Sequence, residues 1–350
     1  MTPQTLKILY VGTTFFGTCG SRREALERLG YVVIPLNIID YLPRRSFLTR
    51  LQSKFSWGPS IANLNHDLIQ LADSCSPDWV WIDKGIYIFT ETVRHLRFQG
   101  VFVVHHLTDD FMYNKRQFRH YLSGAKYYNA HLSIHPFHKH ELRSLKASNW
   151  VRTHLGFDPS ICCPPFILKS APKYSTDVIF VGHWEEHTEE HVSFLIDQGV
   201  NIKVWGMNWK KCRYKRHLSD HYRMEWIPDS EYAQAISSSK IALCFLSKCN
   251  RNQETGRSYE IPAIGTFMLG ERTEDHLRLY EEGHEAEFFE SSDELLEKIQ
   301  FYLANETDRE RIATFGKRRA LTSGYTYFDR IKADLANLLP LYSSFRDSHL

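Results

Sequence analysis

The sequence predicts an α/β protein made of two doubly wound, parallel-sheet domains. Three observations carry that expectation. Short apolar, β-rich runs alternate with helical patterns through the first half, which calls for a parallel sheet covered on both faces. An aperiodic, proline-rich stretch, Cys163–Pro172, interrupts the alternation near residue 165, and a second series of the same rhythm follows it. The chain's 350 residues suffice for two separate apolar cores.

In the first series Lys7–Val11 reads as a strand. Ser21–Leu29 reads as a helix capped by Ser21 and ended by Gly30. Tyr31–Ile34 is the next strand, and a polar excursion through Arg44, Arg45 and Lys54 leads to a helix over 61–72. Trp79–Ile82, Val101–Val104 and His131–Ile134 are further buried strands. The second series comprises Asp177–Gly182, Ile202–Gly206, Ile241–Leu246 and Thr266–Leu269, with a terminal helix over Tyr327–Leu339.

Composition narrows the functional classes. Hydrophobic residues at 43% and aromatic residues at 14% mark a globular chain rather than a disordered one. A net charge of +2 argues against a bulk nucleic-acid or membrane role, and the basic run Lys210–His217 is local. Seven cysteines without repeated close pairs do not form a disulfide framework, so they read as reduced thiols. No secretory leader and no apolar run of about eighteen residues is visible, so a soluble, cytoplasmic protein is expected.

In doubly wound sheets ligands bind beyond the carboxyl ends of the strands. That rule selects Gly12–Gly20, Asp83–Gly85, His105–Asp110 and His135 in the first domain. In the second it selects Gly182–Trp184, Gly206–Asn208 and Lys248–Arg257. Gly12 and Gly17 have the spacing of a phosphate loop, but Thr18-Cys19 stands where Lys-Ser/Thr is required. The reading is therefore a flexible loop near a donor or acceptor, or a plain tight turn. Lys84 meets a phosphate or stays in water, and His106 borders the same loops. Asp109 is the candidate base for an incoming hydroxyl, set against an aspartate that merely caps the helix expected near Tyr113.

The eighteen histidines invite a metal reading. His187 and His191 share a helical face, yet Thr188 occupies the position of the zinc-protease glutamate. His135, His138 and His140 are not expected to share a clean helical face with a carboxylate. The chain also has no Asp-x-Asp pair. Metal-independent chemistry without a cofactor is the expectation.

Arg257-Ser-Tyr-Glu-Ile-Pro-Ala-Ile-Gly265 follows the apolar run Ile241–Leu246. Its segment Glu260–Gly265 resembles the Glu-Ala-x-Ala-x-Gly signature of group 1 (family 4-like) glycosyltransferases. Downstream, Gly265–Glu274, Gly283–Phe289, Ser291–Ile299, Arg309–Gly316 and Tyr325–Arg330 follow in an order similar to that family's CgeB-like, spore-maturation branch.

The resemblance implies a GT-B fold, two Rossmann-like domains facing across a cleft. It implies residues 1–168 on the acceptor side, 173–325 on the nucleotide-sugar donor side, and 326–350 as a helix crossing back. It further implies a hexosyltransferase-like enzyme in which Glu260 holds the donor ribose. Arg257 and Lys248 would then meet the diphosphate, with Gly182 and His183 lining the same site. The acceptor is left open as a glycan, protein or small molecule. Asn252 stands where the retaining enzymes of the family carry a second glutamate. Two alternatives follow: a GT-B-fold binding protein without turnover, and a nucleic-acid-binding protein using Lys210–His217.

Overall fold

The computed structural model describes residues 6–15, 17–42, 47–165, 173–213, 222–223 and 227–348. Arg44, Arg45, most of the proline-rich stretch and the second half of the basic run lie outside the described residues. The chain forms two compact units, Met1–His154 with Tyr327–Leu350, and Leu155–Thr326.

The first unit is a six-stranded sheet of β1 (Lys7–Gly12), β2 (Val32–Asn37), β3 (Trp79–Asp83), β4 (Phe102–Leu107), β5 (Ala130–Ser133) and β6 (Trp150–Arg152). Its order is β2-β1-β3-β4-β5-β6 with every pair parallel. Alternation sends Leu9, Val11, Val80 and Ile82 to one face, against Leu64, Leu68 and Val93. Ile8, Tyr10, Trp79 and Trp81 go to the other, against Leu26, Leu335 and Leu338.

The second unit repeats the plan with β7 (Thr176–Val181), β8 (Ile202–Trp205), β9 (Tyr222–Arg223), β10 (Ser239–Cys244), β11 (Phe267–Glu271) and β12 (Glu287–Phe289). Its order is β12-β11-β10-β7-β8-β9, again parallel. The predicted α/β class with two parallel sheets is what the structure shows.

Several boundaries differ, each for a packing reason. The units divide at His154/Leu155 rather than at 168–173, because Phe157 and Cys162 are buried in the second unit's core. The first helix opens at Gly17 instead of Ser21, so Gly20 lies inside it and Ser21 is no cap. The polar excursion contains a helix, Phe47–Phe55. The terminal helix runs on through Pro340 to Asp347, because its last turns bury Tyr342 and Phe345 against Phe102.

That helix also buries Asp334, whose carboxylate accepts a hydrogen bond from Thr153 Oγ1 at 2.8 Å. Burial raises its pKa to about 7. An acid whose folded pKa lies above its unfolded value near 4 stabilises the fold only at low pH. The contribution is lost as pH rises through the folded value. Asp334→Asn is expected to gain about 2–3 kcal/mol on the parent between pH 5 and pH 8. Urea unfolding at both pH values measures this, and parallel pH dependence of the two proteins would rule it out.

Candidate functional site

The strand order puts a topological switch point in each unit, and the two are filled very differently. In the second unit the chain leaves β7 toward β8 on one side, while β10 lies on the other, so the crevice opens at the carboxyl ends of β7 and β10. The helices Glu186–Asp197 and Arg257–Ile264 follow these two strands, so both point their amino ends at this edge. The positive ends of the helix dipoles there favour negative charge.

Arg257 begins the second of these helices and spans the switch point. Its Nη1 donates to the Val181 carbonyl at 3.1 Å and its Nη2 to the Phe245 carbonyl at 3.1 Å. The guanidinium also lies 5.2 Å from the centroid of the Phe180 ring. Two neutral carbonyls hold the group in place while leaving its charge uncompensated by them. Glycine is required alongside it. A Cβ on Gly206, at φ +143°, would come 2.1 Å from the Gly182 carbonyl oxygen, and one on Gly182 would meet the Phe180 ring at 2.5 Å.

Glu260 sits one turn further along the same helix. Its Oε2 accepts from the Tyr232 hydroxyl at 2.8 Å, and Oε1 has no donor among the described residues. Burial raises its pKa, and the Tyr232 bond and the Arg257 charge oppose the rise. Arg257 and Glu260 do not pair with each other, since the two side chains go to different partners.

Glu254 takes another role. It is buried, accepting from the Leu155 amide at 2.9 Å and the Tyr259 hydroxyl at 2.7 Å, so it braces the helix rather than facing a ligand. Asn252 donates its amide to the Ser247 carbonyl at 3.0 Å, and its Oδ1 is buried without a hydrogen-bond partner among the described residues.

Lys248 is not the independent cation the sequence suggests. Its ammonium pairs with Glu271, at the carboxyl end of β11, while its amide bonds Glu185 Oε2 at 3.1 Å. Glu271 also accepts from the Leu246 amide at 2.8 Å and lies 3.3 Å from His187 Nε2. Burial favours the neutral acid, but the His187, Lys248 and Leu246 contacts outweigh it and bring the pKa down to about 2. Glu271, His187 and Tyr232 were missed as site residues. Applying the strand-end rule to β11 as well would have found Glu271. His183 is exposed at the end of β7.

In the first unit the equivalent crevice, between β1 and β3, is closed by a buried ion pair. Arg22 reaches Asp83 through Nε at 2.7 Å and Nη2 at 3.0 Å, and the Tyr10 hydroxyl adds a bond of 2.6 Å. Burial alone would raise the Asp83 pKa, but Arg22 and Tyr10 hold it well below the usual carboxylate range. Gly12 packs here, since a Cβ on it would stand 3.1 Å from Asp83 Cβ. Gly17, at φ +59°, opens the helix with clear space around its α-carbon.

Lys84 pairs with Asp109 at the sheet edge, so neither side chain stands alone. His106 cannot line a loop. It lies within β4, opposite Asp83, buried and stacked on Trp81. Burial lowers its pKa to about 3 and keeps it neutral. The strand continues to Leu107, three residues past the predicted end, because both of its faces are covered.

The helix expected near Tyr113 does not form, since residues 111–118 are turns and the next helix opens at Arg119. Asp110 instead fixes the turn, accepting from the amides of Met112 at 2.9 Å and Tyr113 at 3.3 Å. His138 does meet carboxylates, contrary to expectation. It lies 3.5 Å from Asp110 and 3.8 Å from Glu141, three residues on in its own helix. These three side chains bring their ligand atoms within 4.8 Å of one another. Ser133 Oγ, 2.6 Å from His138 Nδ1, and the Phe111 ring, tilted against it at 4.2 Å between centroids, fix the imidazole within the core. In the basic run, Lys211 lies over the Trp184 ring and Arg213 pairs with Glu186; residues 214–217 lie outside the described residues.

Residues 185–336 match a family model described as glycosyl transferase-like. No curated protein matches the chain. Among solved structures, sucrose-phosphate synthase from Thermosynechococcus elongatus aligns with a TM-score of 0.69 at 10% identity, covering 97% of this chain and 100% of that one. Anabaena HepE in complex with UDP-glucose aligns with a TM-score of 0.64 at 12% identity, covering 96% and 99%. A glycosyltransferase from Rickettsia africae ESF-5 gives 0.61 at 12%, covering 97% and 98%. At these identities the likeness establishes the fold, the two-domain GT-B type.

Proposed function

We propose that this protein is a glycosyltransferase that binds a nucleotide-sugar donor on its second unit. The observation that carries this reading is Arg257, held by the Val181 and Phe245 carbonyls at the switch point, one helical turn before Glu260. Both lie within the stretch matched by a glycosyl transferase-like model, in a fold similar to that of a protein solved with UDP-glucose. Within the class, the order of segments from Gly265 to Arg330 supports the CgeB-like branch.

In this reading Arg257 and the two helix amino ends attract the donor diphosphate, and Glu260 Oε1 accepts a ribose hydroxyl. Transfer breaks the anomeric carbon–phosphate oxygen bond, and the acceptor hydroxyl oxygen takes its place on that carbon. The hydroxyl proton passes to a base, for which Asp109 in the first unit is our candidate. Negative charge grows on the leaving diphosphate, so a fixed cation there acts chiefly in the transition state. The buried Asn252 oxygen is an acceptor that a donor-sugar hydroxyl would satisfy. With Arg257 supplying charge and no Asp-x-Asp pair in the sequence, we propose metal-independent transfer.

Thermal unfolding against a panel of UDP-, GDP-, dTDP- and CMP-sugars tests the proposal, since a ligand bound to the native state raises the midpoint. One donor is expected to stabilise the protein, with transfer unchanged by a chelator. Glu260→Gln should bind that donor roughly ten- to hundredfold more weakly, as the loss of a charged hydrogen bond implies. Stabilisation by none of the sugars would remove the reading. Unaltered affinity in Glu260→Gln would remove the ribose assignment alone.

A further inference from the structure

The helix Phe47–Phe55 is turned inside out. Phe47 is 74% exposed, Leu48 66%, Leu51 43% and Phe55 44%, and Trp57 just beyond it is 67% exposed. At 3.6 residues per turn the four helical apolar side chains occupy an arc of roughly 100°. The polar side carries Gln52 and Ser53, which are partly buried, and Gln52 Oε1 accepts from the Ser60 amide at 2.8 Å. A surface helix ordinarily points its apolar face at the core. Here polar groups anchor the helix and the hydrophobic face points outward.

Charge says what that face meets. Between Asp40 and Asp67 the sequence has no Asp or Glu but contains Arg44, Arg45, Arg50 and Lys54. A second basic segment lies against the helix's end. Arg119 Nη2 donates to the Ser56 carbonyl at 3.0 Å, and the Arg116 guanidinium lies 5.1 Å from the Phe55 ring centroid. Lys115 and Arg116 are exposed, and the stretch from 111 to 140 also lacks any Asp or Glu. A protruding apolar ridge of Phe, Leu and Trp, flanked by Arg and Lys, fits the boundary between lipid headgroups and acyl chains. No helix among the described residues is long and apolar enough to cross a membrane, so the attachment is peripheral.

We infer that the first unit docks on an anionic lipid surface through the apolar face of Phe47–Phe55 and Trp57, with the surrounding cations reading the lipid charge. The net charge of +2 hides this patch because the acidic residues fall outside these two stretches of sequence. The inference is independent of the transfer reaction and stands or falls without it.

Flotation of the full chain with phosphatidylcholine vesicles, with and without about 30 mol% phosphatidylglycerol, tests it. Binding is expected only with the anionic lipid and should weaken as salt rises. Leu48→Ser with Trp57→Ser should weaken binding at least about tenfold. Arg50→Gln with Lys54→Gln should weaken it roughly 25-fold, at about fivefold per charge. All four residues are exposed, so circular dichroism should show both variants folded, and the parent's salt dependence stands as a test without any variant. Three results would overturn the inference. They are no flotation of the parent, equal flotation of parent and apolar variant, and self-association abolished by the apolar variant without lipid binding.

Discussion

Replacing Asp83 with alanine is expected to cost the first unit about 3–5 kcal/mol, the usual penalty for stranding one charge of a buried pair. Arg22 and Asp83 are each about 3% exposed or less, with two guanidinium bonds and the Tyr10 hydroxyl on one carboxylate. Alanine would leave the guanidinium desolvated and without the two bonds that Asp83 accepts from it. For a unit of this size the unfolding midpoint should fall by roughly 6–20 °C, at about 2–4 °C per kcal/mol. Arg22→Met should be comparably damaging, because it strands the anion instead. The double change, Arg22→Met with Asp83→Leu, should recover much of the loss, since apolar groups of similar volume replace buried pairs well. Calorimetry on the three variants decides it. A single variant unfolding at the parent temperature would show that the pair is not the plug of this crevice.

Arg257→Ala should lower kcat by about 10²–10³, the range found on deleting one donor to a developing anion. KM should change less, because the interaction strengthens as the diphosphate departs. A purely structural arginine would behave differently, lowering the unfolding midpoint while leaving the turnover of folded protein intact. Arg257→Lys separates the cases further. An ammonium keeps the charge but cannot span the Val181 and Phe245 carbonyls as a planar fork does, so it should rescue only a small part of kcat. Parent-like kcat in Arg257→Ala would withdraw the leaving-group role and leave Glu260 as the one residue supporting the donor site.

Much of the scaffold was legible because it is local. Buried strands such as Trp79–Ile82 and Ile241–Leu246 announce themselves by composition, and Gly265 ends its helix in the left-handed conformation glycine favours. The strand-end rule then selected Gly182, Gly206 and Lys248 without any knowledge of contacts. It failed where strand limits were misjudged. Placing the end of β4 at Val104 turned His106 from a sheet residue into a loop candidate. Placing the first helix start at Ser21 concealed that Arg22 faces inward.

By itself the sequence determined the α/β class, the two successive sheets and the segment that carries Arg257 and Glu260. Periodicity and spacing along a single helix are properties of neighbouring residues. Only the tertiary structure decided which charges are neutralised. Asp83 meets Arg22 from 61 residues away, and Glu271 meets Lys248 from 23. It also decided that Phe47–Phe55 presents its apolar side outward. Strand order brings such distant partners together, and burial then lets one ion pair dominate what a solvated chain would screen.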